Sequence, residues 1–308
     1  LEPIVELKNV TKVIKGRTII DKISFQVNKG EVFGFLGPNG AGKTTTIRMI
    51  VGLMAITQGD ITIGGSSIKT GFEDAVRHIG AIVENPEMYK FLTGYQNLIH
   101  YARMTTNVTK QKIAETVELV GLTDRIHDKV KTYSLGMRQR LGLAQCLLHE
   151  PQVLILDEPT NGLDPAGIRE IRDYVRRLAR EKDMAVIVSS HLLSEMEMMC
   201  DRIGIIQDGR LIDVQQIKEF VQASGTAFEL EVTPAEKAAV ILQQHYPEAR
   251  PTYSRDGVTI ALPKQEIPSL VKLLVDQEIH IFGIKEAGKT LEDRFLEVTG
   301  EKGAAGRG

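Results

Sequence analysis

Tryptophan is absent, cysteine occurs twice, and aromatic residues make up 5% of the 308 positions. Two cysteines, Cys146 and Cys200, are too few for a disulfide framework or a cysteine-rich zinc site. Both stand in apolar helical stretches and are expected in the core of a protein kept in a reducing compartment. The seven histidines do not cluster at ligand spacing. No apolar run approaches the ~20 residues that span a bilayer, and no signal peptide is visible, so a soluble chain is expected. A net charge of −2 leaves no electrostatic footprint for nucleic acid. Basic runs such as RRLAR (176–180) lie on a patterned helix and read as its solvated face.

What is present is ordinary globular composition, 42% apolar and 25% charged, at a length that suits one large domain plus a smaller one. IVELK (4–8) and IIDKISFQV (19–27) are expected as strands, with a turn at 16–17. EVFGFLG (31–37), VLILD (153–157) and MAVIVSS (184–190) are apolar runs of the kind found in parallel strands covered on both faces. The stretch 94–148 is helical in pattern. Residues 167–182 place Ile168, Ile171, Val175 and Leu178 at helix spacing. RIGIIQDGRLI (202–212) predicts a hairpin turning at Asp208-Gly209. Strands alternating with helices imply an α/β core with a parallel sheet. A composition shift after Phe220 marks a domain end near 220 and a linker at 221–227. A compact βαβαβα unit of α+β type follows over 228–300, then a disordered tail at 301–308.

The phosphate-loop pattern G-x-x-x-x-G-K-[ST] occurs twice, as GPNGAGKT (37–44) and GIKEAGKT (283–290). The first joins a buried strand to a helix, the context that the motif requires. Gly37, Gly40 and Gly42 let backbone N–H groups curve round a phosphate, with Pro38, Asn39 and Ala41 between them, and the helix beginning at Lys43 adds its positive end. Lys43 would reach the β- and γ-phosphates, Thr44 would offer a hydroxyl to Mg²⁺, and Thr45 follows in the same turn. Asp157 ends a buried strand, where it can hold magnesium through water. Glu158 stands just outside the strand end, where a carboxylate can orient and deprotonate the attacking water. The second match places Glu286 inside the would-be nest and has glycine only at its ends. It is therefore expected to be a turn after a strand, with Thr290 capping a last helix.

The block YSLGMRQRLGLAQCLLHEPQVLILDEPTNGLDP (133–165) resembles the signature, Walker B and D-loop region of ATP-binding cassette ATPases. Together with GPNGAGKT and His191 it makes five motifs in order, covering about 1–215. The resemblance implies a P-loop NTPase cassette of α/β class. Such a cassette has a RecA-like parallel-sheet core, an antiparallel β subdomain and a helical subdomain at about 86–148, here followed by the small C-terminal α+β domain. It implies ATP and Mg²⁺ as cofactors, Glu158 and His191 as catalytic residues, and Thr44, Asp157 and Glu84 as magnesium ligands. Ser134 and Gly136 of SLGM would meet the γ-phosphate held by an opposite subunit, and Asp164 of NGLD would join the two active sites. The implied unit is a head-to-tail dimer with a second copy or a paralogous ATPase. It would be bound to a separate transmembrane permease on the inner, cytoplasmic face of the membrane.

Two positions depart from the family pattern. Ile14 stands where an aromatic often stacks on adenine, which leaves ATP and GTP both open. Glu84 replaces a common glutamine, as in the bacitracin and lantibiotic-immunity exporter branch, and so points to an exporter of antibiotic, peptide or other amphiphile. The competing reading is a soluble cassette ATPase acting on the ribosome or nucleic acid. Near-neutral charge, a single cassette and the lack of long heptads or zinc modules speak against it. A P-loop kinase would not need SLGM, NGLD and His191.

Overall fold

The computed structural model describes residues 3–105, 108–222, 227–249, 251–254 and 257–286. The chain divides into two compact units, Leu1–Ile217 and Lys218–Gly308.

The first unit opens with a long antiparallel hairpin, β1 (Pro3–Ile14) and β2 (Arg17–Asn28). Both strands run further than the sequence suggests. The turn falls at Lys15-Gly16, one residue earlier than expected, because both residues adopt positive φ and close the hairpin. β3 (Val32–Leu36) leads into α1 (Lys43–Ile50). β4 (Gln58–Ile63), β5 (Ser66–Ser67), α2 (Phe72–Arg77) and β6 (Ile79–Ile82) follow. The helical stretch resolves into α3 (Gly94–Ala102), α4 (Lys110–Leu119) and α5 (Leu135–Leu147). The chain then alternates through β7 (Val153–Asp157), α6 (Pro165–Lys182), β8 (Ala185–Ser190) and α7 (Leu193–Met199). The unit closes with the hairpin β9 (Arg202–Gln207) and β10 (Arg210–Gln216); α8 (Ile217–Gln222) starts at the division between the units, so the expected linker begins inside a helix.

Two sheets result. One is antiparallel, in the order β2-β1-β4-β5. The other runs β10-β9-β3-β8-β7-β6, parallel except for the edge strand β10. β3, β7 and β8 are buried at every residue, as continuous apolar runs require when both faces of a parallel sheet are covered. Phe25 of the first sheet stacks on Phe33 of the second at 5.0 Å between ring centroids, so the sheets share one core. The pairing aligns the ends of three strands: Leu36 lies beside Ser190, and Asp157 beside Ser189. Everything that follows Leu36, Asp157 and Ser190 therefore emerges at one edge, the carboxyl end of the sheet.

The second unit contains β11 (Ala227–Thr233), α9 (Ala235–His245), β12 (Thr252–Ser254), β13 (Gly257–Ala261), α10 (Ile267–Asp276) and β14 (His280–Glu286). Its sheet is antiparallel in the order β12-β13-β11-β14, a βαββαβ arrangement. The expected βαβαβα pattern missed β12, whose three exposed residues have no apolar alternation to read. Phe228, Leu230 and Val232 of β11 alternate inward with Val258 and Ile260 of β13, against Leu242 of α9 and Leu270 and Leu274 of α10. The helix and tail expected after residue 290 lie outside the described residues.

The look-alike loop is partly a strand. Gly283 to Glu286 belong to β14 and pair in register with Phe228 to Glu231 of β11. An extended strand does not curve its amides round a phosphate as a nest does, and residues 287–290 of the match lie outside the described residues. Thr290 and its expected cap lie outside the described residues.

Candidate nucleotide site

GPNGAGKT forms the link between β3 and α1. Gly37 has no room for a side chain, since a Cβ there would stand 2.4 Å from the Ile206 carbonyl oxygen. Gly42 caps α1 in the left-handed region, at φ 110°, which a side chain would strain. The loop is braced from outside by Gly209 N donating to Ala41 O at 2.9 Å, and inside by Ala41 N donating to Pro38 O at 3.2 Å. The N–H groups of Gly40, Gly42, Lys43 and Thr44 have no partner among the described residues. Converging free amides at a helix start form an anion cradle.

Lys43 is the charge of that cradle. It is 5% exposed, and its Nζ donates to Gly37 O at 2.7 Å and to Pro38 O at 3.2 Å. It also lies 3.3 Å from Glu158 Oε1. Glu158 Oε2 meets His191 Nδ1 at 2.7 Å. Three side chains from three strand ends thus converge: Lys43 after β3, Glu158 after β7 and His191 after β8. Glu158 adopts φ 50°, a left-handed conformation that an ordinary residue takes only where its surroundings enforce it. Its N–H donates to Ser189 Oγ at 2.9 Å, and that hydroxyl donates to Asp157 Oδ1 at 2.6 Å. The serine at the end of β8 therefore fixes both acids.

Asp157 keeps Oδ2 without a protein partner, and the hydroxyls of Thr44 and Thr45 are likewise unpartnered among the described residues. Among the described residues no three His, Cys, Asp or Glu side chains gather as a metal cage. That donor set fits magnesium, which accepts one or two protein oxygens and completes its shell with phosphate and water. Glu84 also has positive φ, at 67°, and its side chain pairs with Arg48 of α1. Ile14, at the tip of β1, is 38% exposed and paired across the hairpin with Arg17.

Ser134 is the N-cap of α5, its hydroxyl accepting from Met137 N at 3.2 Å. One donor of this helix start, the Met137 N–H, is therefore spent within the chain. Asp164 caps α6, accepting from Gly167 N at 3.0 Å with Pro165 in the first helical turn. The signature and the NGLD turn are neighbours: a Cβ on Gly162 would stand 3.2 Å from Leu135, and one on Gly136 would stand 3.8 Å from Leu163.

Sequence reasoning found Lys43, Asp157, Glu158 and His191 but missed Ser189, Arg48 and Glu195, which belong to no motif. The cysteines lie where expected. Cys146 and Cys200 are both buried and free, and burial pushes the Cys146 thiol up to about 12 and the Cys200 thiol higher still.

Similarity to known proteins agrees with this geometry. The family described as ABC transporter matches residues 20–161. The chain is 63% identical to the ABC transporter ATP-binding protein YhcH of Bacillus subtilis, over 98% of this chain and 97% of that protein. It is 38% identical to the bacitracin transport ATP-binding protein BcrA of Bacillus licheniformis, over 97% of this chain and 98% of that one. A solved structure of an ATP-binding subunit of an ABC transporter superposes with a TM-score of 0.64 at 28% identity, covering 71% of this chain and 92% of the other. No helix among the described residues is long and apolar enough to cross a membrane. With nearly its whole length aligned to such relatives, the chain belongs to the ABC transporter family, as one of its ATP-binding, ATP-hydrolysing subunits.

Proposed function

We propose that the chain drives export of an antibiotic, peptide or other amphiphile, working as a head-to-tail dimer on a membrane permease at the cytoplasmic face. The observation that carries the catalytic part is the convergence of Lys43, Glu158 and His191 beside a loop of free amides. Glu158 is the group that orients the attacking water and takes its proton, and His191 holds that carboxylate and contacts the γ-phosphate. Lys43 and the loop amides hold the phosphates. Thr44 and Asp157 hold magnesium, joined by Glu84 once it leaves Arg48. Magnesium, when bound, neutralises phosphate charge. Ser134 and Gly136 of one copy complete the site of the other, beside Asp164. The accessory unit is either regulatory, part of the dimer contact, or packing only.

The amphiphile reading rests on similarity to the bacitracin relative, which runs the length of the chain and takes in the second unit. The permease surface is supported by a hollow between α1, β6 and α5, lined by Val51, Leu53, Pro86, Glu87, Tyr101 and Gln145. Leu53, 71% exposed, is one of its lining residues, and Phe91, 69% exposed, lies in the turn before α3. Exposed apolar side chains beside a concavity suit a helix from a partner. Near-neutral charge supports a partner other than nucleic acid. Affinity purification of the full chain from solubilised membranes tests the reading. A multi-spanning membrane protein is the expected companion, and a ribosomal or DNA-bound companion would overturn it.

A further inference from the structure

A single carboxylate oxygen ties together the segments that flank Glu158 and His191. Glu195, in the first turn of α7, is 8% exposed. Its Oε2 accepts hydrogen bonds from Thr160 Oγ1 at 2.7 Å and from Ser190 Oγ at 2.9 Å. Thr160 lies two residues past Glu158, at the start of the turn that carries NGLD. Ser190 ends β8 and immediately precedes His191. The Ser190 oxygen also accepts from Leu192 N at 2.9 Å, so the chain on both sides of His191 is fixed to one hydroxyl. The turn closes on Thr160 as well, with Leu163 N donating to Thr160 O at 3.1 Å and Asn161 N to Glu158 O at 3.1 Å.

Successive residues of a strand point to opposite faces. Ser189 therefore serves Asp157 and Glu158 on one face, while Ser190 serves Glu195 on the other. A buried carboxylate costs stability unless its oxygens are paired. Leu193, Met196 and Met199 of the same helix are buried and apolar, and a similar residue would fill position 195 without that cost. What an apolar residue could not do is hold two hydroxyls, one from the turn after β7 and one from the end of β8, at one point.

We propose that Glu195 is a positioning residue for ATP hydrolysis: it locks the Glu158–His191 pair to the turn carrying Asp164, so that the position of that turn sets the geometry of the pair. The proposal rests on the assignment of Glu158 and His191 to hydrolysis given above. It deepens that assignment by linking the pair to the dimer-facing turn. Coupling of this kind is established by double-mutant cycles and not by proximity alone.

The test uses the full chain and measures steady-state ATP hydrolysis, nucleotide binding and thermal unfolding. Glu195→Ala lowers kcat by about tenfold to a hundredfold, the scale on which a small misplacement of reacting groups acts. KM for ATP stays within about twofold, since the phosphate loop is untouched. Thr160→Val and Ser190→Ala each give part of the loss. Thr160→Ser and Ser190→Thr, which keep the hydroxyls, recover the rate. Adding either hydroxyl deletion to Glu195→Ala causes little further loss, because all three act through one junction. Should Glu195→Ala fail to fold, the hydroxyl variants carry the test alone. Full activity in Thr160→Val and Ser190→Ala would overturn the proposal, as would a loss in Thr160→Ser equal to that in Thr160→Val. Undiminished hydrolysis by Glu158→Gln would instead remove the catalytic assignment itself, whatever Glu195 does.

Discussion

Glu158 holds His191 with one carboxylate oxygen, at 2.7 Å, and Lys43 with the other, at 3.3 Å. The carboxylate thus sits between the lysine of the phosphate-loop motif and the histidine at the neighbouring strand end. Replacing it with an amide keeps the shape and removes the proposed base. Glu158→Gln is expected to bind ATP normally and to lose hydrolysis by about 10²–10⁴-fold, the usual contribution of a positioned general base. His191→Ala should lose rate too, with ATP affinity nearly kept. Phosphate release and nucleotide titration measure both, and normal turnover by Glu158→Gln would refute the assignment.

Lys43 and Lys289 occupy the same place in two matching octapeptides. Lys43 is buried in a cradle of carbonyl oxygens, beside Glu158. Gly283 to Glu286 of the other octapeptide are strand. Lys43→Ala is expected to abolish hydrolysis, and Lys289→Ala to leave it nearly intact. Equal losses would mean that the second match serves the nucleotide after all.

The pair between Arg48 and Glu84 is largely solvent-exposed, so it should add at most about 1 kcal/mol to stability. Glu84→Ala is therefore expected to leave the melting temperature close to that of the parent chain. If Glu84 ligates magnesium, the same change raises the Mg²⁺ concentration needed for half-maximal hydrolysis, and Glu84→Gln, which keeps an oxygen, raises it less. A magnesium titration at fixed ATP separates the outcomes; an unmoved midpoint in Glu84→Ala would exclude Glu84 as a ligand.

Burial raises the Cys146 thiol from 9.0 to about 12. Its folded pKa lies above the unfolded one, so the protonated thiol favours the native state. That contribution is whole below pH 9 and is lost as the pH climbs from about 9 to about 12. A thiol reagent at neutral pH is expected to label neither cysteine of the folded chain and both once it is unfolded. Rapid labelling of the native protein would contradict the burial.

The parts of the site that could be read in the sequence are those set by neighbours along the chain. Glycine spacing in GPNGAGKT, the apolar run before Asp157 and the strand before His191 each prescribe a local shape. Glu195 carries no such mark: a glutamate one turn into a short helix looks like any solvated acid. Its partners Thr160 and Ser190 come from two other elements, and only the packing of α7 against the sheet brings them to one oxygen. Arg48 and Ser189 escaped notice for the same reason. β12 was missed because three exposed residues carry no periodicity.

By itself, the sequence determined which loops could cradle phosphate and which strand ends would carry acids, because backbone conformation over a few residues follows from side-chain size, branching and charge. Tertiary structure alone decided which charges meet. The parallel pairing of β3, β8 and β7 brings Lys43, His191 and Glu158 together at one edge. Pairing with β11 likewise drew the first half of GIKEAGKT into a strand, where the backbone is extended and not curved round a phosphate.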